Sequence, residues 1–372
     1  MSIEIREVKT KAEATLFVDL PFRLYQGNKF WVPPLKDGEL KALFPESNPA
    51  FEFCDAKFWI AFRDGKVVGR IGAIINRAAI EKSGEKKGRF SRFECENDME
   101  VSHALFLVAE KYLRENGMTS VEGPLGFSNL DLQGLLVEGF DQLASIASVY
   151  HHAYYQKLVE GEGYEKETDW IEFRLTVGEA AVEKANRGAA LVSKRYGVEM
   201  MHFKKISELL PYSETIFQIL NDAFGDLPFV TPLTQKMMAF YKEKYIKLLN
   251  PEFVKLVKMK GEIIGFVIGL PSLSEAMQKA GGKLFPFGFY HILQARKGKD
   301  VMDQLLTGVK KEFQSTGAGV MLMAGLQQEM QKRGMKYIET TGMFETNQEA
   351  IRNWKNYEHI QHKRKRCFIK SL

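Results

Sequence analysis

One pattern recurs in this chain and restricts what it can become. Residues 58–75 read as a hairpin: Trp59-Ile60-Ala61-Phe62, a turn at Asp64-Gly65, then Val67-Val68-Gly69-Arg70-Ile71-Gly72-Ala73-Ile74. Residues 253–259, a Lys260-Gly261 turn and residues 263–270 repeat that plan. Gly65 and Gly261 are 196 residues apart, as are Gly69 and Gly265. A long amphipathic helix follows in each half. The first spans 98–116, with Val101, Leu105, Val108, Ala109 and Leu113 on one face, Asn97 as N-cap and Gly117 as the stop. The second spans 320–333 and stops at Gly334. Then Gly117-Met118-Thr119-Ser120-Val121-Glu122 mirrors Gly334-Met335-Lys336-Tyr337-Ile338-Glu339. Hairpin, helix and strand in the same order twice predict two α/β domains of one topology. A length of 372 residues suits two domains, each with its own core.

Composition excludes several classes. The net charge of +5 is far from a nucleic-acid-binding signature, although it suits an anionic ligand. Cys54, Cys95 and Cys367 are odd in number and widely spaced, so neither a disulfide framework nor a zinc spacing is visible. Reduced thiols point to the cytoplasm. No apolar run is long enough to span a bilayer, and the alternating Met1-Ser2-Ile3-Glu4-Ile5-Arg6 is not a signal peptide. No metal is expected.

The second half carries Gln314-Ser315-Thr316-Gly317-Ala318-Gly319 between the strand and its helix. Such a turn leaves backbone N–H groups unpaired at a helix start, where the helix dipole adds positive charge. Gly317 and Gly319 let a phosphate approach the backbone. Downstream come Glu345-Thr346-Asn347-Gln348-Glu349-Ala350 and Ile351-Arg352-Asn353-Trp354. The loop resembles the Q/R-x-x-G-x-G/A turn of the GNAT acyltransferase superfamily, and the later segment its N-x-x-A-x-x-x-Y run.

The resemblance implies two tandem GNAT-like domains, each a mixed, mostly antiparallel sheet flanked by helices. Residues 1–176 form a degenerate copy, 177–197 a helical connector and 198–372 the acyl-CoA-binding copy. It implies acetyl-CoA or another acyl-CoA as substrate, gripped by Gln314, Gly317, Ala318, Gly319 and Asn347. The partner would be a small-molecule or peptide amine that attacks the thioester. The family's proton-donating Tyr is replaced by Trp354, which leaves Tyr357 as the catalytic candidate. Glu339 and Glu345 are possible bases. Asp226, Phe229 and Thr231 are candidates to shape the acceptor pocket. Residues 272–289 are an insertion whose Met277, Leu284, Phe285, Phe287 and Phe289 either wall a lipophilic acceptor or pack. The first copy has no glycine turn. Glu94-Cys95-Glu96-Asn97-Asp98-Met99-Glu100 stands there, and its carboxylates would repel a pyrophosphate. The leading function is an acyl-CoA-dependent N-acyltransferase; the alternative is a non-catalytic CoA-binding or interaction protein on the same fold.

Overall fold

The computed structural model describes residues 2–246, 248–354 and 357–372. The chain forms two compact units. Unit one comprises Met1–Ile171, Met277–Gly288 and Lys363–Leu372; unit two comprises Glu172–Ala276 and Phe289–His362.

In chain order the first stretch gives β1 (Glu4–Glu7), α1 (Lys11–Leu24), α2 (Lys36–Ala42), β2 (Cys54–Arg63), β3 (Lys66–Asn76) and α3 (Arg77–Ser83). Then come β4 (Lys87–Cys95), α4 (Met99–Glu115), β5 (Ser120–Gly123), β6 (Leu135–Glu138), α5 (Tyr154–Gly161) and β7 (Glu165–Thr176). The expected Asp64-Gly65 turn forms, with φ of 51° and 75° at its two residues. Strands β1 to β4 pair antiparallel in sequence order, and β4 then pairs parallel with β5. Residues Phe368 to Ser371 lie antiparallel along β5.

Helix α4 buries Val101, Leu105, Ala109 and Leu113, the face its periodicity marks. Its N-cap is Asp98, not Asn97: the Asp98 carboxylate accepts from the N–H groups of Glu100 (2.9 Å) and Val101 (3.3 Å). Helix α1 runs straight through Pro21. Proline cannot donate to the Phe17 carbonyl one turn back. Arg70 Nη1 donates to that oxygen instead, at 2.9 Å.

The second stretch gives α6 (Glu179–Tyr196), β8 (Val198–His202), α7 (Ile206–Leu209), α8 (Ser213–Phe224), α9 (Gln235–Ile246), β9 (Val254–Met259) and β10 (Glu262–Pro271). It continues with α10 (Ser274–Ala280), α11 (Gly288–Ala295), β11 (Val301–Val309), α12 (Ala318–Lys332), β12 (Tyr337–Thr340), β13 (Met343–Phe344), α13 (Gln348–Asn353) and β14 (Glu358–Ser371). Residues 206–224 do not form a single helix. Pro211 falls inside it, and the chain makes a 3-10 turn at Leu210–Tyr212 between α7 and α8. Strands β8 to β11 pair antiparallel in order, and β11 then pairs parallel with β12. This repeats the order of unit one, so both units are mixed, mostly antiparallel sheets flanked by helices.

The closing strands depart from expectation. A strand forms over 170–175, but its end belongs to unit two, with Thr176, Leu175 and Arg174 opposite Tyr337, Ile338 and Glu339. Unit one is closed by residues from β14. A half-polar alternating strand suits either sheet, so sequence alone does not choose. Helix α6, expected as a connector, lies in unit two beside α12, where Gln328 Nε2 donates to Asn186 Oδ1 at 2.8 Å.

Candidate functional site

Strands β11 and β12 pair from Val301↔Tyr337 to Gln304↔Thr340. There β12 ends, while β11 runs on to Val309. Two parallel neighbours therefore part company at Gln304 and Thr340. The β10 register also slips at this level, from Gly269↔Gln304 to Ile268↔Leu306, so Leu305 forms a bulge.

After β11 the chain makes a 3-10 turn, Lys311–Thr316, and enters α12 through Gly317. Gly317 has φ 82°, a left-handed conformation that favours glycine, and an added Cβ would meet Val192 Cγ2 at 2.7 Å. No side chain caps α12. The Ala318 and Gly319 N–H groups precede the first bond at this end, from Val320 N–H to the Gly317 carbonyl at 3.0 Å, and an anion is their natural partner. A Cβ at Gly319 would meet nothing within 4 Å, so the approach to the helix start is open. Ala318 is buried. The exposed Gln314 side chain donates to the Val309 carbonyl at 3.4 Å. Gln314, Gly317, Ala318 and Gly319 thus share one turn.

Tyr357 is tied to the same helix. Its hydroxyl accepts from Gln327 Nε2 at 2.6 Å. Burial raises the Tyr357 pKa above that of an ordinary tyrosine, against the lowering effect of the Gln327 bond. Gln327 lies eight residues beyond Gly319, about 12 Å along the helix. Trp354 is buried, with its ring centroid 6.2 Å from that of Tyr357. Asn347 precedes α13; its N–H donates to the Phe344 carbonyl at 2.9 Å, and its own carbonyl accepts from Ile351 N–H at 3.1 Å.

Below the divergence lies a buried polar group that sequence reasoning reached only through Glu339. Glu339 is opposite Asp303 in the parallel register, and both are buried. Arg174 Nε reaches Glu339 Oε1 at 2.5 Å, and His362 Nε2 lies 2.6 Å from Oε2. Thr340 Oγ1 accepts from Phe173 N–H at 2.9 Å. Asp303 had a visible signal, a carboxylate beside Val301 and Met302 in a strand; Arg174, His362 and Gln327 come from elements far apart in sequence. Glu345 is only partly buried. In the expected acceptor loop, Asp226 pairs with Lys311, Phe229 (φ 65°) stacks near Phe344 with centroids 6.2 Å apart, and Thr231 is buried.

Unit one holds a different set at the matching places. Asp98 fills the start of α4. Glu96 pairs with Arg23 at 2.7 Å and Glu100 with Arg63 at 2.9 Å. Glu94 is buried and accepts from Tyr155 (2.6 Å) and Tyr25 (2.8 Å). Burial raises its pKa above the usual carboxylate range. The carboxylates expected to repel a phosphate are thus engaged locally. Between β5 and α5, Tyr150 donates to the Phe140 carbonyl, Asp131 accepts from Ser128 N–H and Glu138, at the end of β6, pairs with Arg364.

Two copies of one mixed sheet, the second with parallel strands that part beside an uncapped glycine helix start, give the tandem GNAT fold. The fold matches a solved tandem GNAT protein from the clavulanic acid biosynthesis pathway, with a TM-score of 0.56 and 12% identity, covering 100% of this chain and 98% of that one. No protein-family profile matches the chain. The chain belongs to the family of the bacterial ceramide synthase of Caulobacter vibrioides: the two are 30% identical over 381 residues, 100% of this chain and 98% of that protein. Protein YghO of Escherichia coli is 25% identical over 353 residues, 92% of this chain and 89% of its own. Fold and family point to an acyltransferase. Among the described residues no helix is long and apolar enough to cross a membrane, and no cluster of His, Cys, Asp and Glu could hold a metal ion.

Proposed function

We propose that this chain is an N-acyltransferase that moves a fatty acyl group from acyl-CoA to the amine of a long-chain amino alcohol, cytoplasmic acyl-CoA being the donor. The observation that carries the reading is the open, uncapped start of α12 beside the parting strands β11 and β12. The Caulobacter relative, named a ceramide synthase, supplies the acceptor class.

In this reading the N–H groups at Gly317, Ala318 and Gly319 hold the pyrophosphate, with Gln314 and Asn347 as further polar contacts. The thioester arm then runs along α12, into the gap where the strands separate. The amine nitrogen attacks the thioester carbon, the carbon–sulfur bond breaks, and the thiolate leaves. Tyr357 is the proton donor to that thiolate. Its oxygen accepts from Gln327, so its own hydrogen is not spent on that bond, and its raised pKa keeps it protonated at neutral pH. The proton lost by the attacking amine passes to Glu339, which Arg174 and His362 hold in place. Atoms balance: acyl-CoA and amine give amide and free CoA thiol.

The test is to incubate the purified protein with palmitoyl-CoA and sphinganine, following thiol release with a chromogenic thiol reagent and the amide by mass spectrometry. Thiol release and amide in equal amounts are expected. CoA binding with no amide from any long-chain amine would overturn the acyl-transfer reading and favour the non-catalytic one.

A further inference from the structure

The insertion between β10 and β11 leaves large apolar side chains in water. Leu284, Phe285, Phe287, Phe289, Tyr290 and Leu293 are all exposed, Phe285 by 76% and Phe287 by 71%. This stretch is not a loose loop. A Cβ at Gly288 would meet the Lys283 carbonyl oxygen at 2.0 Å, so the turn closes tightly on a residue that has none. Lys283 N–H donates to the Ala280 carbonyl at 3.1 Å, and Gln278 Nε2 donates to the carbonyls of Lys29 and Trp31, both at 2.9 Å. Helix α11 buries Ile292 and turns Phe289, Tyr290 and Leu293 outward. Large apolar side chains held this far out on a braced turn mark an interaction surface.

The charge on both sides of the patch is of one sign. From residue 276 to 299 there are five cations, Lys279, Lys283, Arg296, Lys297 and Lys299, and no Asp or Glu. The four lysines are exposed; Arg296 is half-buried and donates to the Leu249 carbonyl. Leu293, Arg296 and Lys297 line one open groove together with Asn250, Glu252 and Arg333. The acidic groups nearby are Asp19, paired with Lys36, whose N–H donates to the Gly282 carbonyl, Asp37, paired with Lys41, Glu252, paired with Arg333, and Asp300 beside Lys299, with Glu275 before the stretch.

We infer that residues 279–288 dock on an anionic lipid bilayer, with Leu284, Phe285 and Phe287 entering the acyl boundary and Lys279 and Lys283 meeting acidic headgroups. Aromatic side chains flanked by lysine suit that boundary, where apolar burial and headgroup attraction add. Charge complementarity selects acidic lipid over a neutral apolar partner. With no bilayer-crossing helix among the described residues, the contact is peripheral. It gives a water-borne protein access to substrates dissolved in the membrane, and it is read without turnover, so it can fail or stand apart from the acyl-transfer reading.

Flotation of the full chain with vesicles of phosphatidylglycerol and phosphatidylethanolamine tests it, against vesicles of phosphatidylcholine. The wild type is expected to float with the acidic vesicles, to float far less with the neutral ones, and to be released by salt. Phe285→Ser with Phe287→Ser should lower the bound fraction about tenfold. Lys279→Glu with Lys283→Glu should do the same through charge. Thermal melting of each pair should match wild type, because the side chains are exposed; the lysine pair serves if the aromatic pair misfolds. Failure of the wild type to float, equal binding to neutral vesicles, or both variants floating like wild type would overturn the inference. So would a wild-type dimer that the aromatic pair splits, since the patch would then be a contact between copies.

Discussion

The starts of α4 and α12 occupy the same place in two copies of one fold, and they are built in opposite ways. At α4 a carboxylate sits on the first N–H groups, and Arg63 anchors it. At α12 a left-handed glycine leads into the helix and no side chain covers it. The tyrosines downstream differ in the same sense. Tyr155 donates its proton to Glu94, whereas Tyr357 accepts from Gln327 and keeps its own. A helix dipole can be satisfied from inside the protein or left for a ligand. The first copy has spent its polar groups on its own stability; the second has left them available.

The largest expected effect tests the open end. Gly319→Val places a side chain in empty space without straining the backbone, so the protein should melt as wild type while CoA affinity falls about a hundredfold, the loss of two charge-assisted hydrogen bonds. Gly317→Val should lose binding as well, but with a lowered melting temperature, because its φ is positive and Val192 lies in the way. Calorimetry with CoA reads both. Unchanged affinity in Gly319→Val would make the two helix starts equivalent after all.

The tyrosines come next. Tyr357→Phe should reduce kcat by about 10²-fold and leave CoA binding in place, whereas Tyr155→Phe should act on stability. Equal loss of kcat and of CoA binding in Tyr357→Phe would mark Tyr357 as a packing residue.

Asp98→Ala opens the start of α4. It should cost about 1 kcal/mol of stability, and the binding stoichiometry of CoA should stay at one per chain. A second CoA bound to this variant would show that Asp98 alone blocks the first copy.

The smallest effect is in pH. Burial pushes the Asp98 pKa up, but the Val101 N–H and Arg63 outweigh this and hold it below its ordinary value. A depressed carboxylate pKa stabilises the fold above the ordinary value and loses that contribution as pH falls through the depressed one. Hydrogen exchange at Glu100 and Val101 should therefore gain an acid-dependent opening near that pH, with no counterpart at Ala318 and Gly319.

Hairpins, long helices and the glycine turn were legible because their signals are local. Asp64-Gly65, the α4 periodicity and Gly317 each act within a few residues. Long-range pairing was not legible. The pairing of residues 174–176 with β12 and the Arg174–Glu339–His362 group both bring together strands far apart in sequence. Gln327 carries no local signal on α12, and only its contact with Tyr357 sets it apart.

The return of residues 363–372 to unit one sets the order in which the protein can finish folding. Arg364 and Arg366 join Lys166 on buried Asp169, and Cys367 and Phe368 complete the interior beside β5. These residues leave the ribosome after all of unit two. The domain synthesised first is therefore the domain completed last, and it waits on the ribosome with one edge of its sheet unmade. A fragment cut at residue 176 would keep that open edge permanently, with Asp169 beside it left to Lys166 alone, and should be prone to aggregate.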